Sequence, residues 1–198
     1  MGRISRKEIL DAFERLVARY GLDRVTMKEL AGEAGISVGS IYRHFEGKDQ
    51  LVLAIEEKWR GHVETRNTRI LESDRSPEEK LHEIVVRHVE LFSGQVRENR
   101  AAYELLVGAM SLRYIGRTLE DSRQEVFDLM TSACGEALRE GIGRGVFAVQ
   151  DPDRTARLFV QAFTEYFSPP TLVEREHEEV VDDAEAMFEL LMQAVRST

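Results

Sequence analysis

The chain has 198 residues, 42% of them hydrophobic and 32% charged, with a net charge of −9, an ordinary balance for a soluble globular protein with one sizeable core or two smaller ones. No apolar run approaches the roughly 20 residues that cross a bilayer, and the start, MGRISRKE, has no secretory apolar segment, so a cytoplasmic protein without membrane contact is expected. One cysteine, Cys134, excludes an intramolecular disulfide and any multi-cysteine zinc site.

Residues 5–20 read as a first helix, with Ile9, Phe13, Leu16 and Tyr20 at helical spacing, charges between them, and Gly21 as a stop. The short arm before it, with Arg3 and Arg6, is either a frayed terminus or a DNA contact. Thr26 followed by Glu29 makes a capping box for a second, short helix whose small apolar face is Leu30, Ala31 and Ala34. Gly35 stops that helix, because glycine takes the left-handed conformation at no steric cost. Ser37 caps a third helix. Ile41 and Phe45, four apart, point inward from it and complete a small three-helix core with Val25 and Leu30.

Val38, Ser40, Tyr42, Arg43 and His44 are left on the outward side, small residues first and longer polar ones after. A helix that enters a major groove needs that order, so that the backbone sinks in while side chains reach bases and phosphates. Gly47 is expected to end this helix, and Lys48 opens the next beside a helix N-terminus suited to an anion. The pattern is a helix-turn-helix. Residues 1–50 carry nine Lys/Arg against eight Asp/Glu, and the remainder carries 18 against 28. The acidity therefore belongs to the second region, and the nearly neutral reading end predicts moderate, salt-sensitive DNA affinity.

From Lys48 a helix runs to about Leu71, apolar through Leu51, Leu53, Ala54 and Ile55 and continuing a face through Trp59 and Val63. Ser76-Pro77-Glu78-Glu79 is the clearest later boundary: a serine cap, proline at the first helical position and a capping-box glutamate. Leu81, Ile84, Val85, His88, Leu91 and Phe92 face inward from the helix that follows. Another begins near Asn99 and passes Tyr103, Leu106 and Met110; a long one covers residues 117–141 with Phe127, Met130, Cys134 and Leu138 on one side. Gly141, Gly143 and Gly145 break it. Asp151-Pro152 starts the next helix, striped by Ala156, Phe159, Val160, Phe163 and Phe167, with Pro169-Pro170 expected to end it. The last helix carries Val180, Ala184, Met187, Phe188, Leu191 and Val195. No strand-like alternation appears, so the expected fold is all α, with about nine helices.

The run Gly35-Ile-Ser-Val-Gly-Ser-Ile-Tyr42-Arg-His44-Phe45-Glu-Gly-Lys48-Asp-Gln-Leu51 resembles the DNA-binding segment of the TetR family of bacterial transcriptional regulators. The resemblance implies a helix-turn-helix domain at 1–48 and an effector-binding and dimerisation domain at 49–198. It implies phosphate contacts from Tyr42, His44 and Lys48, and base reading from Val38, Ser40 and Arg43. Ser37 and Gly39 fall in the groove-entering segment that runs to His44. Thr26 is a cap whose exposed helix start also receives a phosphate, and Lys28 is either a backbone contact or solvated. Val38 stands where the family often carries lysine or arginine, which replaces a basic contact by an apolar one, as to a thymine methyl.

An effector pocket is likewise implied, with Trp59, His62, His88, Phe92, Tyr103, Met110, Phe127, Met130, Cys134 and Phe163 as candidate lining; on the residues alone a plain packed core reads equally well. Phe159, Phe167, Phe188, Leu191 and Val195 are core by spacing, and by resemblance also the faces of a four-helix bundle across a two-fold axis. A homodimer follows independently, since one short reading helix recognises few base pairs.

No catalytic or metal-binding set and no cofactor is expected. His82-Glu83 lacks the second histidine of a zinc-hydrolase helix, Val86 standing in its place, and the 141–145 glycines lack both the strand and the lysine-serine ending of a phosphate loop. Cys134, on an apolar face, reads as an inert buried thiol. The expected function is a ligand-responsive repressor that binds palindromic operator DNA and is released by a small molecule. The competing reading is a helical ligand- or partner-binding protein whose reading head is silent, with an all-α enzyme third.

Overall fold

Short polar side chains decide where the helices begin in the computed structural model, which describes residues 4–98 and 116–196. Nine α-helices stand among the described residues: α1 (Arg6–Tyr20), α2 (Met27–Glu33), α3 (Val38–Tyr42), α4 (Lys48–Leu71), α5 (Pro77–Glu98), α6 (Gly116–Gly143), α7 (Pro152–Ala162), α8 (Pro169–Glu174) and α9 (His177–Val195). Three start in reciprocal capping boxes, Ser5 with Glu8, Thr26 with Glu29 and Ser76 with Glu79. The backbone N–H each glutamate accepts holds its pKa below the ordinary carboxylate value. Among the described residues the only extended pairing is an isolated bridge between Phe147 and Arg196.

The described residues form two compact units, one of residues 4–60 with 116–122 and one of residues 61–98 with 123–196. In the first, Ile9, Phe13, Leu16, Leu30, Ile41, Phe45 and Leu51 are closed into one core. The Arg6 guanidinium lies 4.9 Å from the Phe45 ring centroid, a cation–π contact that orders the start of α1. Arg15 Nε donates to Glu33 across α1 and α2 at 3.0 Å, and the Lys58 ammonium of α4 donates to Glu14 at 2.9 Å and Asp11 at 3.3 Å on α1. Burial works against the Lys58 charge, but the two carboxylates outweigh it and its pKa is raised. Tyr20 faces solvent, with Arg19 over its ring.

In the second unit α5 and α9 pack antiparallel. His82, early in α5, meets Glu185 at 2.9 Å, while Ser93 and Arg97, near its end, meet His177 and Glu178 at 2.8 Å each, so the end of α5 lies against the start of α9. Lys80, 3% exposed, donates to Glu140 of α6 at 2.8 Å. A run of ring contacts passes from His82 through Phe188, Phe159, Phe163 and Phe167 to His88 and Phe92, with centroids 5.0 to 6.4 Å apart.

Two helix ends differ from expectation. α3 stops at Tyr42 rather than near Gly47, because the N–H groups of His44 and Phe45 both turn back to the Ile41 carbonyl and swing Phe45 into the core. α7 stops at Ala162, and a 3-10 turn carries Thr164–Phe167. Pro169-Pro170 then open α8 instead of closing α7, since proline suits a first helical turn and forces Ser168 before it to be extended.

The α6 terminus depends on a missing side chain. A Cβ at Gly141 would stand 2.1 Å from the buried Phe147 ring, and Gly145 turns the chain at φ 71°. Gly141→Ala is expected to lower unfolding free energy by about 1–3 kcal/mol through forced displacement of Phe147. Urea denaturation measures it, and an unaffected midpoint would show that the ring relocates freely.

Candidate functional site

The reading end is built on the turn between α2 and α3. Gly35, at φ 68°, reverses the chain, and the Ile36 N–H closes onto the Ala31 carbonyl at 2.9 Å. Ser37 Oγ then accepts the Ser40 N–H at 3.2 Å and shares a 2.9 Å hydrogen bond with Ser40 Oγ. Arg43 Nη2 donates to the same Ser40 hydroxyl at 2.9 Å, folding the guanidinium back along α3. Ser37, Gly39, Tyr42 and Arg43 are exposed, while Ser40 and His44 are half-buried. Arg43 and His44 stand in the turn after α3 rather than on it.

Val38 is half-buried against the core cluster, so only part of it remains for an outside contact. Thr26 and Lys28 are exposed at the start of α2. The Lys48 ammonium donates to the carbonyls of Leu22 at 2.9 Å and Val25 at 3.3 Å. These bonds fasten the first turn of α4 to the link between α1 and α2, an anchoring role that sequence spacing did not disclose.

Of the expected effector residues, Tyr103 and Met110 lie outside the described residues. Trp59 is half-buried and His62 exposed on α4, while Phe127 is half-buried and Met130 and Cys134 buried on α6. Burial pushes the Cys134 thiol up to about 12, which leaves it unreactive. His88, Phe92 and Phe163 do come together, through Phe167: the His88 ring meets Phe167 edge-on at 5.0 Å and stacks with Phe92 at 6.3 Å. Desolvation, aided by the Arg66 charge, takes His88 down to about 3, so it is neutral at physiological pH.

Sequence reading passed over several enclosed polar groups of the second unit. Arg66 Nη2 donates to the Ile84 carbonyl at 3.3 Å and to Asn67 Oδ1 at 3.4 Å, but its buried Nε has no hydrogen-bond partner. Asn67 Nδ2, Thr131 Oγ1 and Thr164 Oγ1 are also buried without one. The signal was available, since Arg66 and Asn67 follow Val63 by three and four positions on an inward face.

The expected interface residues divide as well. Phe159, Phe188 and Val195 are at most 4% exposed within one protomer, and Phe167 packs on His88. Those side chains belong to the protomer's interior, because Phe159 and Phe188 pack edge-on against each other. Leu191 is half-buried. What α9 leaves outside is a second apolar stripe, Ala186, Leu190 and Ala194, with Leu158 of α7 also exposed.

The family model described as bacterial regulatory proteins, tetR family, matches residues 9–55, and the model described as tetracyclin repressor-like, C-terminal domain, matches residues 77–188. A nucleoid occlusion factor SlmA of Vibrio campbellii is 26% identical over 136 residues, 68% of this chain and 67% of that protein. The fatty acid metabolism regulator protein of Bacillus subtilis is 24% identical over 138 residues, 70% of this chain and 68% of the relative. Among solved structures, SmeT, the repressor of the Stenotrophomonas maltophilia multidrug efflux pump SmeDEF, shares the fold with a TM-score of 0.71 at 22% identity, over 98% of this chain and 91% of that one. The regulator FadR from Bacillus subtilis in complex with stearoyl-CoA does so with a TM-score of 0.68 at 20% identity, over 95% and 98%.

The depressed His88 pKa ties stability to acid. The unfolded chain takes up this proton near pH 6.5 and the folded one only near 3, so the contribution is complete above 6.5 and is lost as pH falls. Its slope is about 1.4 kcal/mol per pH unit. His88→Gln is expected to flatten the decline of urea stability between pH 6.5 and about 5; an unaltered decline would mean that His88 titrates normally.

Proposed function

This chain belongs to the TetR family of bacterial regulatory proteins, and we propose from that membership that it works in the cytoplasm as a homodimeric repressor, released from a palindromic operator by a small molecule. The observation that carries the reading is the outward side of the turn and α3. Ser37, Gly39, Tyr42 and Arg43 stand exposed there while Ile41 and Phe45 are locked inward. Small groups let α3 approach the groove floor, and Arg43, once released from Ser40, reaches a base edge. Tyr42, His44 and the exposed start of α2 at Thr26 and Lys28 serve the phosphates on either side. Lys48 keeps one N–H beyond the two given to carbonyls, enough for a phosphate at the head of α4.

Dimerisation is supported by the outer stripe of α9. A helix apolar on two sides leaves one to be covered, and Ala186, Leu190 and Ala194, with Leu158 of α7, supply small and medium residues for close helix approach. Two heads on a two-fold axis then read half-sites one helical turn, about 34 Å, apart. α4 begins at the reading head and runs unbroken to Leu71, past Arg66 and Asn67. An effector that tilts it would spoil the spacing of the two heads, provided the ligand prefers the released state by about 10²-fold or more. The chemistry is recognition rather than turnover.

Selection from a randomised duplex pool is expected to return a palindrome, with binding that weakens steeply as salt rises; no enrichment would refute the repressor reading. Lys48→Ala should then flatten the log–log salt dependence by nearly two units per dimer, at about 0.9 per contact, and an unchanged slope removes Lys48 from the phosphate contacts. Leu190→Glu should give a folded monomer by sedimentation, with operator affinity lost. A dimer that survives it would place the interface elsewhere.

A further inference from the structure

Arg66 forms no ion pair among the described residues. Its guanidinium meets two neutral acceptors, the Ile84 carbonyl and Asn67 Oδ1, both at the long end of the hydrogen-bond range, and its Nε has none. No carboxylate comes within ion-pair distance of it among the described residues. Glu83, whose field favours the Arg66 charge, is instead 4.0 Å from Arg75. Burial lowers the Arg66 pKa to about 10, which still leaves it cationic at neutral pH. Arg66 is half-buried with its Nε fully enclosed, and a guanidinium withdrawn from water to that extent is ordinarily paired, because its desolvation exceeds what neutral acceptors return.

The surroundings point the same way. Asn67 Nδ2 and Thr164 Oγ1 are further buried polar atoms with no partner. Thr164 lies in the 3-10 turn that presents Phe167 to His88, and Arg66 is close enough to His88 to act on its proton. A fork-shaped cation with the Asn67 amide beside it thus reaches α5 at Ile84, one turn before His88, whose ring meets Phe167 and Phe92. That is the recognition chemistry of an acid joined to an apolar body.

We propose that Arg66 anchors the acidic head of the effector, an organic anion whose carboxylate or equivalent oxyacid pairs with the guanidinium and whose apolar or aromatic body lies toward Phe92 and Phe167. The proposal rests on reading the chain as ligand-responsive and adds the charge and shape of the ligand.

The test uses the full-length protein and matched probes, each a carboxylate, a sulfonate and a neutral amide on the same body, taken over straight alkyl chains and phenyl and naphthyl rings. Binding is read by calorimetry, and release by anisotropy on the operator duplex recovered by selection. At least one acid should bind about ten- to a hundredfold tighter than its amide, the range of a charge-assisted hydrogen bond. Arg66→Met should erase that preference while keeping amide binding and an equal or higher Tm, since it removes a half-buried charge that has only neutral acceptors among the described residues. Arg66→Lys, which keeps the charge and loses the fork, should retain a reduced preference and guards against a Met variant that fails to fold. Preference for sulfonate over carboxylate, or the reverse, identifies the oxyacid.

Amides that bind as well as their acids, or acid preference that survives Arg66→Met, would overturn the proposal while leaving a ligand-responsive repressor intact. Failure of every probe to bind would overturn it too. Loss of operator binding by the unliganded protein would strike the repressor reading alone.

Discussion

A helix of five residues has no stability of its own, since nucleation alone outweighs so few hydrogen bonds. α3 exists because Ile41 and Phe45 are held in the core with α1, α2 and the head of α4, while Ser37 satisfies its first turn. The reading end is therefore made rigid from behind. Gly35 sets the reversal, Lys48 ties α4 to the carbonyls of Leu22 and Val25, and Lys58 ties the same helix to α1 through Glu14 and Asp11. Apart from the Ser37 cap, the outward side carries Gly39, Tyr42 and Arg43, which stand exposed outside that core.

The second unit treats buried charge in two ways. Lys80 is nearly inaccessible but has Glu140 at 2.8 Å, so its charge is answered and α5 is fastened to α6. Arg66, also on a long helix but only half-buried, has only neutral acceptors among the described residues. One is a strut and the other an open valence, and the same low-dielectric interior that strengthens the first makes the second unfavourable until it is matched. The aromatic run beside it is packed ring to ring from His82 to Phe92, a continuous apolar wall along α5, α7 and α9.

Helix starts were legible from sequence because their causes are local. Ser5, Thr26, Ser37, Ser76 and Asp151 each cap through atoms within three residues, and all five do so here. Helix ends were harder, because α3 ends where Phe45 must enter a core assembled from distant residues. Pro169-Pro170 were read as a stop when the geometry before them makes a start. Periodicity found the apolar faces but could not say which face meets the protomer and which stays outside. Phe159 and Phe188 turned inward while Leu158 and Leu190 stayed exposed. Arg66 was missed for the opposite reason: pattern reading credits apolar residues with burial and leaves an arginine at the same register in solvent.

The half-buried Trp59, midway along α4, is the single tryptophan of the chain. Indole emission responds to the polarity and packing immediately around it, so the unmodified protein, excited at the red edge where its five tyrosines hardly absorb, carries a built-in optical gauge of one helix. Motion of α4 becomes visible in real time without a dye, a label or DNA, and whether a compound works through that helix can be told from the colour of the light it emits.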